Sequence, residues 1–356
     1  MKRAIAILGF LAVASAVTAD GGMFPPPGVS IYEPFQYAVI EHDGSTETLH
    51  LLVHVTGDST EFGWIIPLPA NPEISEDTVS LFEEILDMTN PDYGYGFGCM
   101  GPTYGGGLGG GKWYEHVDII SEGSVGILDW TTLAAQDPAE LFTWLRDNGF
   151  PITDTTDTSS AQDSLRAVDI FADYISRDWI FVVFTVNALP DPDVNLQPVV
   201  FTFPSSDIVY PMKISSLNTG MPDRYDPFSN YYYYDFLELF LFVISDHRME
   251  VETGCGEISY TYANKLTKTE YAAMEKHYPA VSAICGEGDF ITRIQATFWD
   301  YEDVYSDFVM IAADSDSEYF HGFTAGGPAL ILLPLAFVFG TCSGILWWIR
   351  RKRKRK

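Results

Sequence analysis

The chain contains 356 residues, a length that allows one large domain or two ordinary ones. Hydrophobic residues make up 47% of it and aromatic residues 15%, which is sufficient for a packed core and excludes a disordered chain. The formal net charge of -29 repels phosphate backbones, so nucleic-acid binding is excluded as the main activity.

The N-terminus has the pattern of a secretory signal peptide. Lys2 and Arg3 precede an apolar run over residues 4–17, and small residues at 17–19 offer a cleavage site. The run is too short and wrongly flanked for a membrane span. We therefore expect residues 1–19 to be a signal peptide and residues 20–324 to form an extracytoplasmic domain.

The first extended segments predict a β-hairpin. Residues 35–42 alternate between apolar and polar, an Asp-Gly turn follows, and residues 46–56 form the return strand. His50 and His54 lie on this return strand, where their spacing separates them by about 13 Å on one face. We expect a half-exposed strand surface there rather than a metal-chelating pair, and no cofactor.

Residues 62–69, with the sequence FGWIIPLP, form a third extended segment. Apolar residues occupy both of its sides, so we expect burial on both sides and core packing of Trp64. Pro67 and Pro69 cannot donate to a ladder, so the segment should end at a sheet edge or leave the sheet there. The alternative is a ligand groove, because aromatic and Pro-rich surfaces bind partners.

Helices and further strands alternate irregularly along the rest of the chain. The predicted helices cover residues 75–88, 161–176, one segment that Asp137 caps and Pro138 begins, and a shorter segment that Thr267 caps. The predicted strands cover residues 113–120, 179–188, 199–204, 236–245 and 291–299. This irregular order predicts an α+β fold with mostly antiparallel sheets and several interspersed helices.

The loops carry only weak motifs. Residues 93–112 are Gly-rich and predict a flexible loop; Trp113 stands where a phosphate-binding loop needs Ser or Thr. Residues 191–195 begin like a calcium loop but lack its later Gly and Glu, so a turn is the better interpretation. Calcium binding elsewhere among the acidic residues stays open.

The predicted extracytoplasmic domain has three cysteines and would lie in an oxidising compartment. Cys255 and Cys285 stand 30 residues apart around a short predicted helix, and we expect them to form a disulfide. A metal pair is the weaker interpretation, because no nearby residues complete a ligand set. Cys99 is left as a free thiol or an intermolecular link.

The C-terminus predicts a single membrane span. Residues 328–349 contain no charge and would make about 33 Å of helix, and residues 350–356 are all Lys or Arg. The positive-inside rule places this basic tail in the cytoplasm and the N-terminal domain outside the cell membrane. Residues 20–324 then keep 11 basic residues against 49 acidic ones, a net charge of about -38 that favours cationic partners.

Two alternatives concern this C-terminal segment. Gly340 and Gly344 form a GxxxG pattern through which two such helices could associate as a homodimer. Gly326 and Gly327 before the apolar run, with the basic tail after it, also fit a sorting signal that a membrane protease removes. No LPxTG-like motif supports that second interpretation.

Several motifs in consistent order resemble one known family. They are DGG at 20–22, IYEPFQYAVI at 31–40, GDSTEFGWIIPLPANPEI at 57–74, LFTWLRDNGF at 141–150, DWIFVVFTVN at 178–187 and LQPVVFTFPSSDIVYPMKIS at 196–215. Together they resemble the domain of unknown function 2330 family, over residues of about 20–215. The most specific part holds Phe62, Gly63, Trp64, Pro67 and Pro69. The resemblance implies an exported, often membrane-anchored bacterial or archaeal protein, and it transfers no catalytic residue.

Two function classes are consistent with these observations. The first is a non-enzymatic binding or structural module on a single membrane span, with an unidentified protein partner. The second is an extracytoplasmic hydrolase that uses paired carboxylates, which glycoside chemistry places roughly 5–9.5 Å apart. No catalytic motif is present, so we favour the first. A deep pocket with convergent acids and a histidine would favour the second.

Overall fold

The computed structural model describes residues 22–26, 29, 31–89, 117–150, 161–186, 189, 194–217, 224–226, 231–233, 237–299 and 303–319. The predicted signal peptide, the Gly-rich loop, Cys99, the span at 328–349 with Gly340 and Gly344, and the basic tail lie outside these residues. Within the part of the chain that is described, no helix is both long and apolar enough to cross a membrane.

The largest sheet has eight strands. Its strands run in the order β16, β17, β14, β2, β3, β10, β5, and β9 also pairs with β3. Every pair is antiparallel except β2 with β14, which is parallel. The bounds are β2 Ile31–His42, β3 Thr46–Gly57, β5 Glu73–Glu76, β9 Val194–Asn195, β10 Val199–Pro204, β14 Leu237–Ser245, β16 Glu257–Lys265 and β17 Phe290–Phe298.

A second sheet of five antiparallel strands packs against the first. Its order is β1, β4, β8, β7, β6. The bounds are β1 Gly22–Phe24, β4 Phe62–Leu68, β6 Val117–Val125, β7 Leu128–Ala135 and β8 Ile180–Val186. A three-stranded sheet consists of β11 Ile208–Tyr210, β18 Phe308–Ala312 and β15 Met249–Thr253, and β12 Arg224–Asp226 pairs with β13 Tyr231–Tyr233.

Helices cover the outer faces of both large sheets. They are α1 Val79–Thr89, α2 Pro138–Asp147, α3 Ala161–Ser176, α4 Lys268–His277 and α5 Pro279–Ser282, with a 3-10 helix at Lys213–Leu217. The α2 and α3 helices pack on the five-stranded sheet, and α1, α4 and α5 pack on the eight-stranded sheet. The order of layers is therefore helix, sheet, sheet, helix.

Strand alternation explains how one chain fills three cores. On β4, Trp64 and Ile66 face the core between the two sheets, whereas Ile65 faces the core under α2 and α3. On β3, Leu51 faces the core between the sheets and Leu52 faces the core under α1, α4 and α5. Successive side chains of a strand point to opposite faces, so strands buried on both sides supply two cores at once.

Most predicted elements are present, and the α+β class with mostly antiparallel sheets is confirmed. The hairpin forms between β2 and β3, α2 has Asp137 as its N-cap, and Thr267 forms a capping box for α4. The helix predicted over 75–88 is wrong at its start, because residues Glu73–Glu76 pair with β10 as β5. The parallel pairing of β14 with β2 is an addition that no local pattern indicated.

Candidate functional site

A histidine and two carboxylates converge on the outer face of the eight-stranded sheet. The hairpin register places Val39 of β2 beside His50 of β3, so that Glu41, two residues along the strand, lies diagonally across from the imidazole. Asp77 follows the end of β5 and approaches from the side of β10. The site thus joins two strands and the start of α1.

Both ring nitrogens of His50 are engaged. Nδ1 lies 2.7 Å from Oδ2 of Asp77, and Nε2 lies 2.8 Å from Oε1 of Glu41. His50 is only 6% exposed. Burial lowers the pKa of His50, but the hydrogen bonds and negative charges of Asp77 and Glu41 outweigh it and raise the pKa to about 9. At neutral pH the ring is therefore an imidazolium that donates to both acids.

Backbone contacts hold Asp77 in place. Its N–H donates to the carbonyl of Pro198 at 3.0 Å, and its own carbonyl accepts from Nε2 of Gln197 at 3.1 Å. The N–H of Thr78 donates to the other carboxylate oxygen, Oδ1, at 2.7 Å. One oxygen of Asp77 therefore accepts from the imidazolium, and the second accepts from the backbone N–H at the start of the turn into α1.

This arrangement leaves neither ring nitrogen of His50 available to a further partner. A protonated imidazole with two bonded carboxylates has no free lone pair to accept a proton or to bind a metal ion. Among the described residues no group of three or more His, Cys, Asp or Glu is placed to hold a metal ion. The ring instead joins β2, β3 and the segment before α1 through two charge-assisted hydrogen bonds.

The expectation for the two histidines is wrong for one of them. His50 is buried on the outer face of the sheet, whereas we predicted a half-exposed surface. His54 is half-buried, and its Nδ1 lies 2.8 Å from Oδ1 of Asn195. The diagonal contact with Glu41 follows from the hairpin register, but nothing local to Asp77 indicated its place beside His50.

The sequence motif that carries the family resemblance lies in the core. Phe62, Gly63, Trp64 and Pro67 are buried and Pro69 is half-buried. The ring of Trp64 stacks on Phe184 of β8 with centroids 5.0 Å apart. Among the described residues, β1 pairs with residues 63–65 of β4, and Pro67 pairs with Phe181 of β8. The burial of residues 62–68 agrees with core packing of this segment rather than with a ligand groove.

The predicted disulfide between Cys255 and Cys285 is absent, and both are free thiols. Cys255 belongs to the core between the two sheets, and its Sγ donates to the carbonyl of Ser306 at 3.1 Å. Cys285 packs against the core under α1, α4 and α5, and its Sγ donates to the carbonyl of Val281 at 3.0 Å. The eight-stranded sheet separates the two cores, so the thiols lie on opposite faces of it.

A second charged cluster was also missed by the sequence analysis. Asp307 is 7% exposed and accepts from Tyr174 and from the N–H of Lys213 on Oδ1, at 2.7 and 2.9 Å. Arg177 donates to its Oδ2 at 2.9 Å and also to Asp173 one turn earlier on α3. The helical pair was readable from its spacing of four residues, but the link to Asp307 was not. This cluster fastens the segment before β18 to α3.

Comparisons with known proteins give a family and little else. No curated protein matches the chain. Among solved structures, the chain is similar to the crystal structure of baculovirus P35 at 7% identity and a TM-score of 0.35, over 82% of this chain and 99% of that one, a likeness too low to argue from. The profile of DUF2330, described as an uncharacterized protein conserved in bacteria, matches residues 13–311 and so extends past the motifs found at 20–215. The chain belongs to this bacterial family of uncharacterized proteins.

Proposed function

We propose that this protein is a non-enzymatic binding or structural module, held outside the cell membrane on a single span. The absence of catalysis is proposed from one observation, which is that both ring nitrogens of His50 are engaged. Two carboxylates occupy its two ring nitrogens at 2.7 and 2.8 Å, and the residue is only 6% exposed. A general base needs a lone pair that substrate can reach, and this ring offers none.

The alternative of a hydrolase has one observation in its favour, which is the convergence of Glu41 and Asp77 on one imidazole. Paired carboxylates act on a glycoside from opposite sides of a substrate in a cleft. Here the two acids flank a buried side chain of the protein itself. One oxygen of each acid is hydrogen-bonded to that imidazole, so the space between the two acids is filled by His50 rather than by a substrate.

The membrane anchor is proposed from the sequence. Residues 328–349 are uncharged and long enough to span a bilayer, and the seven basic residues after them favour a cytoplasmic tail. The acidic balance of residues 20–324 suits a domain that faces the outside and meets cations or basic partners.

Protease accessibility tests this topology. Protease added to spheroplasts that display the full chain should digest residues 20–324 and leave a small fragment that contains the basic tail. A cytoplasmic marker protein should stay intact until detergent is added. Protection of residues 20–324 before detergent treatment would overturn the proposed location.

A further inference from the structure

Glu47 carries a carboxyl group that lies in the core between the two large sheets. Its side chain is on the same face of β3 as those of Leu49 and Leu51, which belong to that core. The residue is 0% exposed. Acidic side chains are almost never fully buried unless a partner compensates for the lost water, so the partners of Glu47 decide its charge state.

One backbone amide donates to this carboxyl group. The N–H of Val209, in β11, donates to Oε2 of Glu47 at 2.8 Å. The other oxygen, Oε1, is buried without a hydrogen-bond partner. The ion pairs of the described residues do not include Glu47. A negative charge on this carboxyl group would therefore have one donor and no cation to stabilise it.

The basic side chain opposite Glu47 in the hairpin is a neutral imidazole. His42 of β2 pairs with Glu47 in the strand register, so both side chains point to the same face. Nδ1 of His42 accepts, because its partner at 3.1 Å is the N–H of Gly44. Nε2 donates, because its partner at 3.1 Å is the carbonyl of Ser205. An imidazole that accepts on one nitrogen carries no positive charge, so His42 supplies no cation to Glu47.

The titratable groups on the other elements around Glu47 supply no cation either. They are Asp43 in the hairpin turn, Asp207 before β11, Tyr210 on β11 and Asp307 before β18. Asp43 and Asp207 are exposed, and Asp307 is paired with Arg177. Burial therefore raises the pKa of Glu47 well above its ordinary value, and the hydrogen bond from Val209 lowers it only in part.

The bond between Glu47 and Val209 fastens a short strand to the eight-stranded sheet. β11 has three residues, and among the described strands it pairs with β18. The hydroxyl of Tyr210 makes a second link, because it donates to Oε1 of Gln36 at 3.0 Å. β11 thus meets the eight-stranded sheet through side-chain hydrogen bonds and not through a strand ladder, so it is a segment that can open locally.

We propose that Glu47 is a pH-sensitive switch between β3 and β11, closed while its carboxyl group is protonated and opened when that group gives its proton to water. This inference goes beyond the binding role proposed above and does not depend on it. A carboxylate left in the core is costly, so ionisation of Glu47 and separation of β11 from β3 occur together. The switch is closed most firmly in acidic surroundings and opens more readily as the pH rises.

Linkage gives the pH range of this effect. Below about pH 4.5 the carboxyl group is protonated in both the closed and the opened states. Above that value the opened state releases the proton while the closed state keeps it. The equilibrium constant for opening therefore increases by about tenfold per pH unit until the raised pKa of the closed state is reached.

Hydrogen–deuterium exchange of the full chain in detergent micelles measures this opening. Peptides that cover residues 205–215 report on β11, and each observed rate is divided by the intrinsic exchange rate at that pH. Between pH 5 and pH 6.5 the opening of β11 should increase by about tenfold. The stabilisation by His50 is constant below pH 6.5, so His50 does not contribute in this range.

Two variants assign the effect to Glu47. Glu47→Gln should abolish the increase with pH, because an amide does not titrate. The change with pH decides the result, since the unpaired amide of Gln alters opening by the same factor at every pH. Glu47→Met is the second variant and should also lack the increase. Glu73→Gln is the matched control, because Glu73 lies on β5 of the same sheet and is exposed, and it should keep the increase.

Peptides of β8 in the native chain serve as the internal reference, so the test does not rest on the folding of any variant. Opening of β11 should increase with pH relative to opening of β8. Opening of native β11 that is independent of pH between 5 and 6.5 would overturn the switch. An increase that persists unchanged in Glu47→Gln or Glu47→Met would overturn it as well.

Discussion

Nδ1 of His50 and Oδ2 of Asp77 are 2.7 Å apart although the two residues are separated by 27 positions in the chain. The contact fastens the segment that precedes α1 to β3, and Glu41 completes it from β2. Because the imidazole is buried and flanked by two acids, the folded state favours its protonated form.

The stability contributed by His50 should disappear as the pH rises. The pKa of His50 is raised from 6.5 to about 9, so its contribution is fully present below about pH 6.5 and is lost as the pH passes through 9. The shift corresponds to about 3 kcal/mol. The difference in free energy of unfolding between the native chain and His50→Gln should be large at pH 6 and should shrink toward pH 10, as urea titrations at several pH values would measure.

His54→Gln is the matched control for this experiment. His54 lies four residues further along the same strand, and its Nδ1 lies 2.8 Å from Oδ1 of Asn195. Subtracting the effect of His54→Gln from that of His50→Gln isolates the part of the pH dependence that comes from the contacts of His50 with Glu41 and Asp77. A pH-independent difference for His50→Gln would contradict the proposed imidazolium.

Trp64 should be an important core residue. It is 1% exposed and stacks on Phe184, so Trp64→Ala should destabilise the protein by about 3–5 kcal/mol through lost burial and a cavity. Trp299→Ala is the control, because Trp299 is 58% exposed and its truncation should change stability by no more than about 0.5 kcal/mol. Thermal melts of both variants measure the difference. Equal melting temperatures for Trp64→Ala and the native chain would contradict the predicted contribution of Trp64 to the core.

Local signals predicted much of the fold. The start of α2 could be read from Asp137 and Pro138, and Thr267 with Glu270 marked the start of α4, because caps depend on residues three or four positions apart. β5 was missed because its residues, Glu73–Glu76, are mostly exposed and lack the alternation of a half-buried strand. Its strand conformation comes from pairing with β10, more than 120 residues later.

The site was predictable only in part. The hairpin register alone brings Glu41 near His50, because both belong to one local unit. The place of Asp77 depends on the pairing of β5 with β10 and on its contacts with Gln197 and Pro198, which no pattern around His50 reveals. The same limit explains the error over Cys255 and Cys285. A spacing of 30 residues does not say on which face of a sheet each thiol lies.

A side chain at position 63 should destabilise the protein, because Gly63 packs closely against Phe150. A Cβ at this position would lie 2.0 Å from Cδ1 of Phe150, whose ring packs on α2 beside Trp144. Gly63→Ala should therefore destabilise the protein by about 1–3 kcal/mol through overpacking, and a second change, Phe150→Leu, should relieve part of that loss. At Gly286 the nearest atom to such a Cβ is 3.7 Å away, so Gly286→Ala is the control and should be nearly neutral. The urea concentration at the midpoint of unfolding is measured for each variant. An unchanged midpoint for Gly63→Ala would contradict the close packing of Gly63 and Phe150.

The two described cysteines should react as thiols. Denaturing the full chain without reductant in the presence of iodoacetamide should alkylate both Cys255 and Cys285, because each Sγ donates to a carbonyl on its own side of the sheet. Peptide mass mapping measures the modification. A linked pair of peptides that contains both residues would show instead that the two cysteines form a disulfide.

Asp307 and Asp173 both bind Arg177, and their different burial should separate their contributions to stability. Asp307 has a side chain 7% exposed and also accepts from Tyr174 and the N–H of Lys213, so Asp307→Ala leaves buried donors without an acceptor and should cost about 3–5 kcal/mol. The side chain of Asp173 is 39% exposed, and Asp173→Ala should cost about 1 kcal/mol or less. Urea titrations of both variants, repeated in high salt, test this contrast. High salt should reduce the difference in free energy of unfolding between the native protein and Asp173→Ala, because solvent ions screen exposed ion pairs more than buried ones. The corresponding difference for Asp307→Ala should stay nearly unchanged. Equal losses for the two variants would mean that Arg177, rather than the buried hydrogen-bond set around Asp307, fastens the segment before β18 to α3.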